Sequence, residues 1–250
     1  MPEQFCAVAI MAKASVAGTV KTRLVPPLTD QEAAELNTCC LADIATNIVA
    51  AAERVPIHGF AAYHPSGSEE FFKDLLPDGF ALLPPKEPTL GRSLFHAARD
   101  LFAAGYGSVC LVNGDSPTLP TELLMKAVRH LNEPGNRVVL GPAADGGYYL
   151  IGMKQLHERL FEEIDWSTER VYRQTLTRAD EIGLPVAALA EWYDVDDESS
   201  LRLLARELLC PPDLARCYNG GYAAPRTSAL LEKLSRENGA VGRFLALREN

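Results

Sequence analysis

The sequence lacks a basic surface. Its 24 lysines and arginines face 33 aspartates and glutamates, a formal net charge of −9. That balance argues against nonspecific binding to DNA or RNA, which needs cations against phosphates. Paired-cysteine patterns are also missing. The six cysteines are Cys6, Cys39, Cys40, Cys110, Cys210 and Cys217. None forms C-x-x-C, and none has histidines at zinc spacing. Cys6 and Cys110 lie in apolar runs, where cysteine acts as a small hydrophobe. A reducing, cytoplasmic setting is therefore expected. No apolar run approaches a membrane span. The first one is short for a signal peptide and follows Glu3 rather than a basic residue. No internal repeat is visible.

What is present is a globular composition, 47% hydrophobic and 23% charged. A chain of 250 residues can bury one large core, or one core and an appendage. Strand-like runs at 5–11, 56–63, 80–83, 108–113, 137–140, 148–153 and 186–189 alternate with helical patterns. Thr29 and Glu32 form a capping box ahead of a long helix, with Ala34, Leu41, Ile44, Ile48 and Val49 on its apolar face. The alternation predicts an α/β sheet with helices on both faces. The pair of strands around Gly141–Gly147 predicts one antiparallel element in a mostly parallel sheet. Residues 210–228 read as a connector rich in proline and glycine, and Ser228–Arg248 as a terminal helix. That helix is expected to dock on the domain, with a homodimer contact as its alternative.

Four stretches carry candidate chemistry. "AKASVAGTVKTRLVPPLT" follows the first strand and holds Lys13, Gly18, Lys21 and Arg23. It is not a Walker A loop, because Ser15 and Val20 stand where its glycines belong. It is not a dinucleotide fingerprint either, because Gly18 stands alone. "NGDSPTLP" puts Asp115 at the end of a buried strand, where open α/β sheets bind ligands; capping the next helix is its other role. "GPAADGGYYLIG" sets Asp145-Gly146-Gly147 between two strands, which is also an ordinary hairpin turn. "WYDVDD" places Asp194, Asp196 and Asp197 where a strand gives way to a helix, and one of them can be an N-cap. Basic groups on one loop and acids on two others suit phosphate chemistry. Mg²⁺ or Mn²⁺ binds through one or two carboxylates plus substrate phosphates, and lysine or arginine neutralises the charge that builds on phosphate. None of the five histidines lies in these stretches, and no Ser-His-Asp or Cys-His pattern competes.

Together with "IDWST" and "DVDDESSLRLL", these motifs resemble a bacterial family of glycosyltransferase-like proteins, DUF2064. That family is related to 2-phospho-L-lactate guanylyltransferase and to molybdenum-cofactor guanylyltransferases. The resemblance covers about residues 5–209. It implies the nucleotide-diphospho-sugar transferase (GT-A) fold, a Rossmann-like three-layer α/β/α sandwich, in a domain over 1–209 with a helical extension over 210–250. It also implies that Ala12, Lys13, Gly18, Lys21 and Arg23 wrap the nucleotide and its phosphates. Asp115 would bind metal, with Asp194 or Asp196 as a second contact. Asp145, Gly146, Gly147 and Thr168 would line the second-substrate pocket, which makes Lys21, Asp115 and Asp145 the expected catalytic residues. The chain has Asp115-Ser116-Pro117 instead of D-x-D, which tilts toward nucleotidyl transfer. A G-x-G-T-R-like start is also absent. The expected partners are a nucleotide or nucleotide-sugar donor and a small-molecule acceptor. A nucleotide-binding protein without turnover is the alternative.

Overall fold

A computed structural model describes residues 4–85, 89–210, 220–237 and Gly242. The apolar run near the N-terminus forms strand β1 (Cys6–Lys13), buried over most of its length. Its side chains alternate between two cores: Cys6, Val8 and Ile10 meet one helical layer, Ala7 and Ala9 the other. A strand flanked on both faces needs no polar side.

Among the described residues, seven strands make one sheet in the order β3-β2-β1-β4-β6-β5-β7. The others are β2 (Ile57–His64), β3 (Ala81–Leu83), β4 (Ser108–Asn113), β5 (Val138–Pro142), β6 (Tyr148–Met153) and β7 (Val186–Ala188). β6 runs antiparallel to both neighbours, and the remaining pairs are parallel. The chain builds outward from β1 through β2 to β3, then returns to lay β4 on the other side of β1. That reversal makes a crevice at the carboxyl ends of β1 and β4. In register, Met11 of β1 lies beside Asn113 of β4, and Lys13 beside His64 of β2.

One face of the sheet is covered by α1 (Asp30–Ala52), α2 (Glu69–Leu75), α4 (Thr121–Asn132), α6 (Glu198–Leu209) and α7 (Pro225–Glu237). The other carries α3 (Leu90–Ala103), a short 3-10 turn (Glu158–Phe161) and α5 (Val171–Glu181). The sandwich is three-layered, as the motifs imply. α1 opens with the expected reciprocal cap: Thr29 Oγ1 accepts from Glu32 N, and Glu32 Oε2 from Thr29 N. Val49 departs from expectation, at 37% exposure. It follows Ile48 by one position, a rotation of about 100° that carries it off the buried stripe. α5 starts three residues later than Thr168, after a turn in which Ser167 takes a left-handed φ of 62°. α7 begins at Pro225, and the expected continuation beyond Glu237 to Arg248 lies outside the described residues apart from Gly242. α7 seats Leu230, Leu231 and Leu234 in the α1 side of the core. Among the described residues, no helix is long and apolar enough to cross a membrane.

Candidate functional site

The loop after β1 is pinned at its base by Asn37 of α1, whose Nδ2 donates to Lys13 O (3.0 Å) and Ser15 Oγ (2.8 Å). Gly18 turns the loop with φ 76°. Lys21 also takes a left-handed backbone, φ 47° and ψ 37°, which costs a residue with a Cβ about 1–3 kcal/mol. The compensation is visible. Its side chain is only 2% exposed, and Nζ donates to Asp115 Oδ1 at 2.7 Å and to Val195 O at 2.9 Å. Burial weakens the ammonium, but Asp115, Asp196 and other neighbours together outweigh it and hold the pKa above its ordinary value. One cation thus ties three of the four sequence stretches together. Arg23 reaches the same cleft and pairs with Asp196 at 3.2 Å, mostly in solvent.

The acids converge. Val195 N donates to Asp115 O (2.8 Å), and Ala144 N to Trp192 O (2.9 Å), so the "WYDVDD" segment runs past both β4 and the Asp-Gly-Gly turn. Asp194 Oδ1 is buried without a protein partner. Burial first, then the carboxylates of Asp145, Asp115 and Asp196, push Asp194 up to about 8. Burial and Asp115 raise Asp196 as well, opposed by Lys21 and Arg23. Asp197 takes the capping role considered for this group. It accepts from Ser200 N at 2.9 Å at the start of α6, and this bond lowers its pKa.

Asp145 is both turn and wall. Its Oδ1 accepts from Gly147 N at 2.8 Å, and its carboxylate lines the cleft with Asp115, Asp194 and Asp196. Gly146 lies beneath, with φ 89°. A Cβ there would sit 2.2 Å from Glu169 O, so only glycine lets this turn meet the loop that carries Thr168. Thr168 lines the cleft, its Oγ1 donating to Asp165 O at 2.7 Å. Trp166 from the same loop packs over Gly91 of α3.

Two cavities share this edge and meet at Met11 and Leu90. The larger, about 840 Å³, holds the acids, within the usual span of ligand sites. The smaller lies over β1, β2 and β3 and takes Ala12 and Lys13 away from the acids. Lys13 Nζ donates to Thr19 O (2.7 Å) within its own loop. Tyr63, His64, Ser93 and His96 join it there, and Asn113 and Tyr148 line the acidic cleft. None of these six was singled out from the sequence, although Asn113 and Tyr148 stand inside the Asp115 and Asp145 motifs. Asn113 and His64 had one available signal, their place at the carboxyl ends of strands.

The donor set suits a hard cation. Its oxygens are carboxylates, one of them without a partner, and their mutual repulsion is only partly relieved by Lys21. Among the described residues, no three Asp, Glu, His or Cys side chains form a cation cage by themselves. The arrangement fits a Mg²⁺ or Mn²⁺ ion completed by a substrate's phosphates.

The model of a family described as uncharacterised proteins conserved in bacteria, DUF2064, matches residues 47–168. That range includes Asp115, Asp145 and Thr168. No curated protein matches the sequence. A crystal structure from Desulfovibrio desulfuricans G20, provisionally described as a nucleotide-diphospho-sugar transferase, is 28% identical. It covers 98% of this chain and 99% of its own, with a TM-score of 0.79. Two more distant structures share the fold. One is 4-diphosphocytidyl-2C-methyl-D-erythritol synthase from Anaerococcus prevotii DSM 20548 (14% identity, 80% and 95% coverage, TM-score 0.52). The other is CMP:2-keto-3-deoxy-manno-octonic acid synthetase complexed with CTP (11%, 82% and 100%, 0.51). Motifs, a family match over residues 47–168 and full-length structural likeness agree: the chain resembles DUF2064 proteins across its middle and is built on the nucleotide-diphospho-sugar transferase fold.

Proposed function

We propose that the protein is a divalent-metal-dependent transferase that uses a nucleotide donor. The nucleoside occupies the cavity over β1–β3, and its phosphates extend toward Lys21 and Arg23. A cation is held by Asp115 with Asp194 or Asp196. The observation that carries this reading is the Lys21–Asp115 pair, in which a loop cation and a strand-end carboxylate 94 residues apart meet at 2.7 Å. Such a pair stands where the order of strands reverses, the usual ligand site of open α/β sheets.

Each side chain has a task in this reading. Lys21, locked by Asp115 and Val195 O, presents a fixed positive charge to the phosphate whose bond breaks. Arg23, more exposed, follows the outer phosphate. Asp145 accepts the proton of the attacking hydroxyl. A bound Mg²⁺ or Mn²⁺ would supply Lewis-acid neutralisation of the departing phosphate oxygens.

The test is a thermal-shift screen of nucleoside triphosphates and nucleotide sugars, with Mn²⁺ and with EDTA, since a bound ligand raises apparent stability by mass action. A stabilising nucleotide is expected only with Mn²⁺, and Asp115→Ala is expected to abolish the difference. Equal stabilisation in both buffers would remove the cation. Release of pyrophosphate indicates nucleotidyl transfer, and release of a nucleoside diphosphate indicates glycosyl transfer. A second reading, nucleotide binding without turnover, draws support from the same ion pair, because Lys21 already neutralises Asp115. Binding with no product over a broad acceptor panel would select it.

A further inference from the structure

Lys21 is the buried cation of the site, yet it lines neither cavity. Its side chain is 2% exposed, whereas that of Asp115 is 37% exposed and opens onto the acidic cleft. The ammonium therefore sits behind the carboxylate, out of reach of a ligand in the cleft. A lysine can be buried only if its charge is answered. Two oxygens answer it here, Asp115 Oδ1 at 2.7 Å and Val195 O at 2.9 Å. Carboxylate and backbone carbonyl oxygens are also what hard cations take from proteins. Asp196 and Asp194 both feel Asp115 and Lys21, so this one ammonium is the buried counter-charge of all three acids. Arg23, the other cation of the cleft, is 68% exposed in its side chain and screened by water.

The position is held against the backbone. The loop bends at two left-handed residues, Gly18 with φ 76° and Lys21 with φ 47°. Glycine adopts that conformation freely; a lysine keeps it only while its surroundings hold it there. The two bonds of Nζ are such a hold, and losing them frees the loop to take another course. A divalent cation and the lysine cannot share Asp115 without like charges meeting in a buried place. The lysine needs a second anion to go to, and the phosphate of a nucleotide is one.

We infer that the Lys21 ammonium stands in for the divalent cation: it closes the Asp115 site in the nucleotide-free protein and gives it up when a donor phosphate draws it away. This rests on the transferase reading above and adds an order of loading to it. It also revises one step, since Lys21 meets the phosphate after leaving Asp115 and not while locked to it. Free cation alone is then a poor ligand, and nucleotide and cation favour each other's binding by the same factor.

Mn²⁺ alone is titrated calorimetrically into nucleotide-free protein. Lys21→Met removes the charge and keeps an unbranched side chain, and it should bind Mn²⁺ at least about tenfold more tightly than the wild type. Lys21→Gln, whose amide can still donate to Asp115, should gain in the same direction and serves if the methionine variant does not fold. Arg23→Met takes the same charge from the cleft but not from Asp115, and should gain about threefold or less, as for an exposed pair. Equal affinity in wild type and Lys21 variants would overturn the inference, as would an equal gain in Arg23→Met or no Mn²⁺ uptake by any of them. The second readout is acetylation of the wild type by an N-hydroxysuccinimide ester, followed by mass spectrometry, with exposed Lys13 as reference. Lys21 should be protected without metal and labelled several-fold faster in Mn²⁺-saturated protein; continued protection at saturation would overturn the exchange. GDP or UDP should tighten Mn²⁺ binding more in the wild type than in Lys21→Met, and equal tightening would overturn release by phosphate. Nucleotides that fail to stabilise the protein in Mn²⁺ would instead overturn the transferase reading. The metal-only titrations and the labelling contain no nucleotide, so the exchange at Asp115 is decided separately.

Discussion

At the scale of single residues, crowded charge sets the behaviour of the site. Burial and three neighbouring carboxylates raise Asp194 to about 8, so the folded chain holds this proton more tightly than the unfolded chain. The stabilisation is complete below the unfolded value of about 4 and is lost as pH rises through the folded one. Asp194→Asn removes that loss. In metal-free buffer the variant is expected to melt about 2–4 °C above the parent at about pH 9, a gain on the order of 1 kcal/mol, and to match it near pH 4. Equal melting curves at both pH values would show that the repulsion is relieved in some other way. Asp145 makes the opposite case. Asparagine keeps the acceptor that Gly147 N uses but lacks the charge. Asp145→Asn should therefore leave melting temperature and nucleotide binding nearly unchanged. Turnover should fall by about 10²–10⁴-fold if Asp145 is the base. Full activity would return the residue to its turn.

At the scale of elements, α7 is latched by a carboxylate outside its own sequence. Fully buried Asp43 of α1 accepts from Arg226 N (3.1 Å) and Thr227 N (2.7 Å). These are first-turn donors with no partner inside the helix, and the positive end of the helix favours the charge. Just upstream, Tyr222 N donates to Thr118 O at 2.9 Å. Thr118 Oγ1 donates to Tyr193 OH, which in turn bonds Glu207 of α6. The C-terminal segment thus braces the backbone next to both Asp115 and Asp194. Asp43→Ala is expected to cost about 2 kcal/mol or more, the upper end of cap losses because the two donors stay buried. Amide exchange should speed up across 225–237 first. Uniform protection in the variant would show that the leucines of α7, not the cap, hold it.

At the scale of the whole molecule, the sheet was largely legible before the structure, and the site less so. Strand and helix signals are local. The Thr29–Glu32 box acts within a turn of the chain, and the antiparallel β5–β6 pair announces itself by the Asp-Gly between two apolar runs. The fold resemblance rested on several motifs in order. The site depends on distances that no window contains. Lys21 reaches Asp115 only because strand order reverses at β1, and Lys13, eight residues earlier, falls into a different cavity. Asn113 and Tyr148 read as ordinary strand ends; what distinguishes them is a missing partner, which only coordinates reveal.

The antiparallel β6 has a wider consequence. In an all-parallel sheet every strand end on the ligand edge must feed a crossover segment that packs on a face. The β5–β6 hairpin delivers a turn to that edge with no crossover helix in it, and Ala143 through Gly147 occupy it. The wall that the transferase reading gives to the second ligand is tied to α5 at Gly146 O, which accepts from Tyr172 N at 2.9 Å, and can vary elsewhere along the turn, whereas the wall it gives to the nucleotide is bolted to α1 through Asn37. One architecture can in this way retain a single donor while its descendants diverge in what they modify, and a hairpin transplanted between relatives is the smallest graft that would carry the difference.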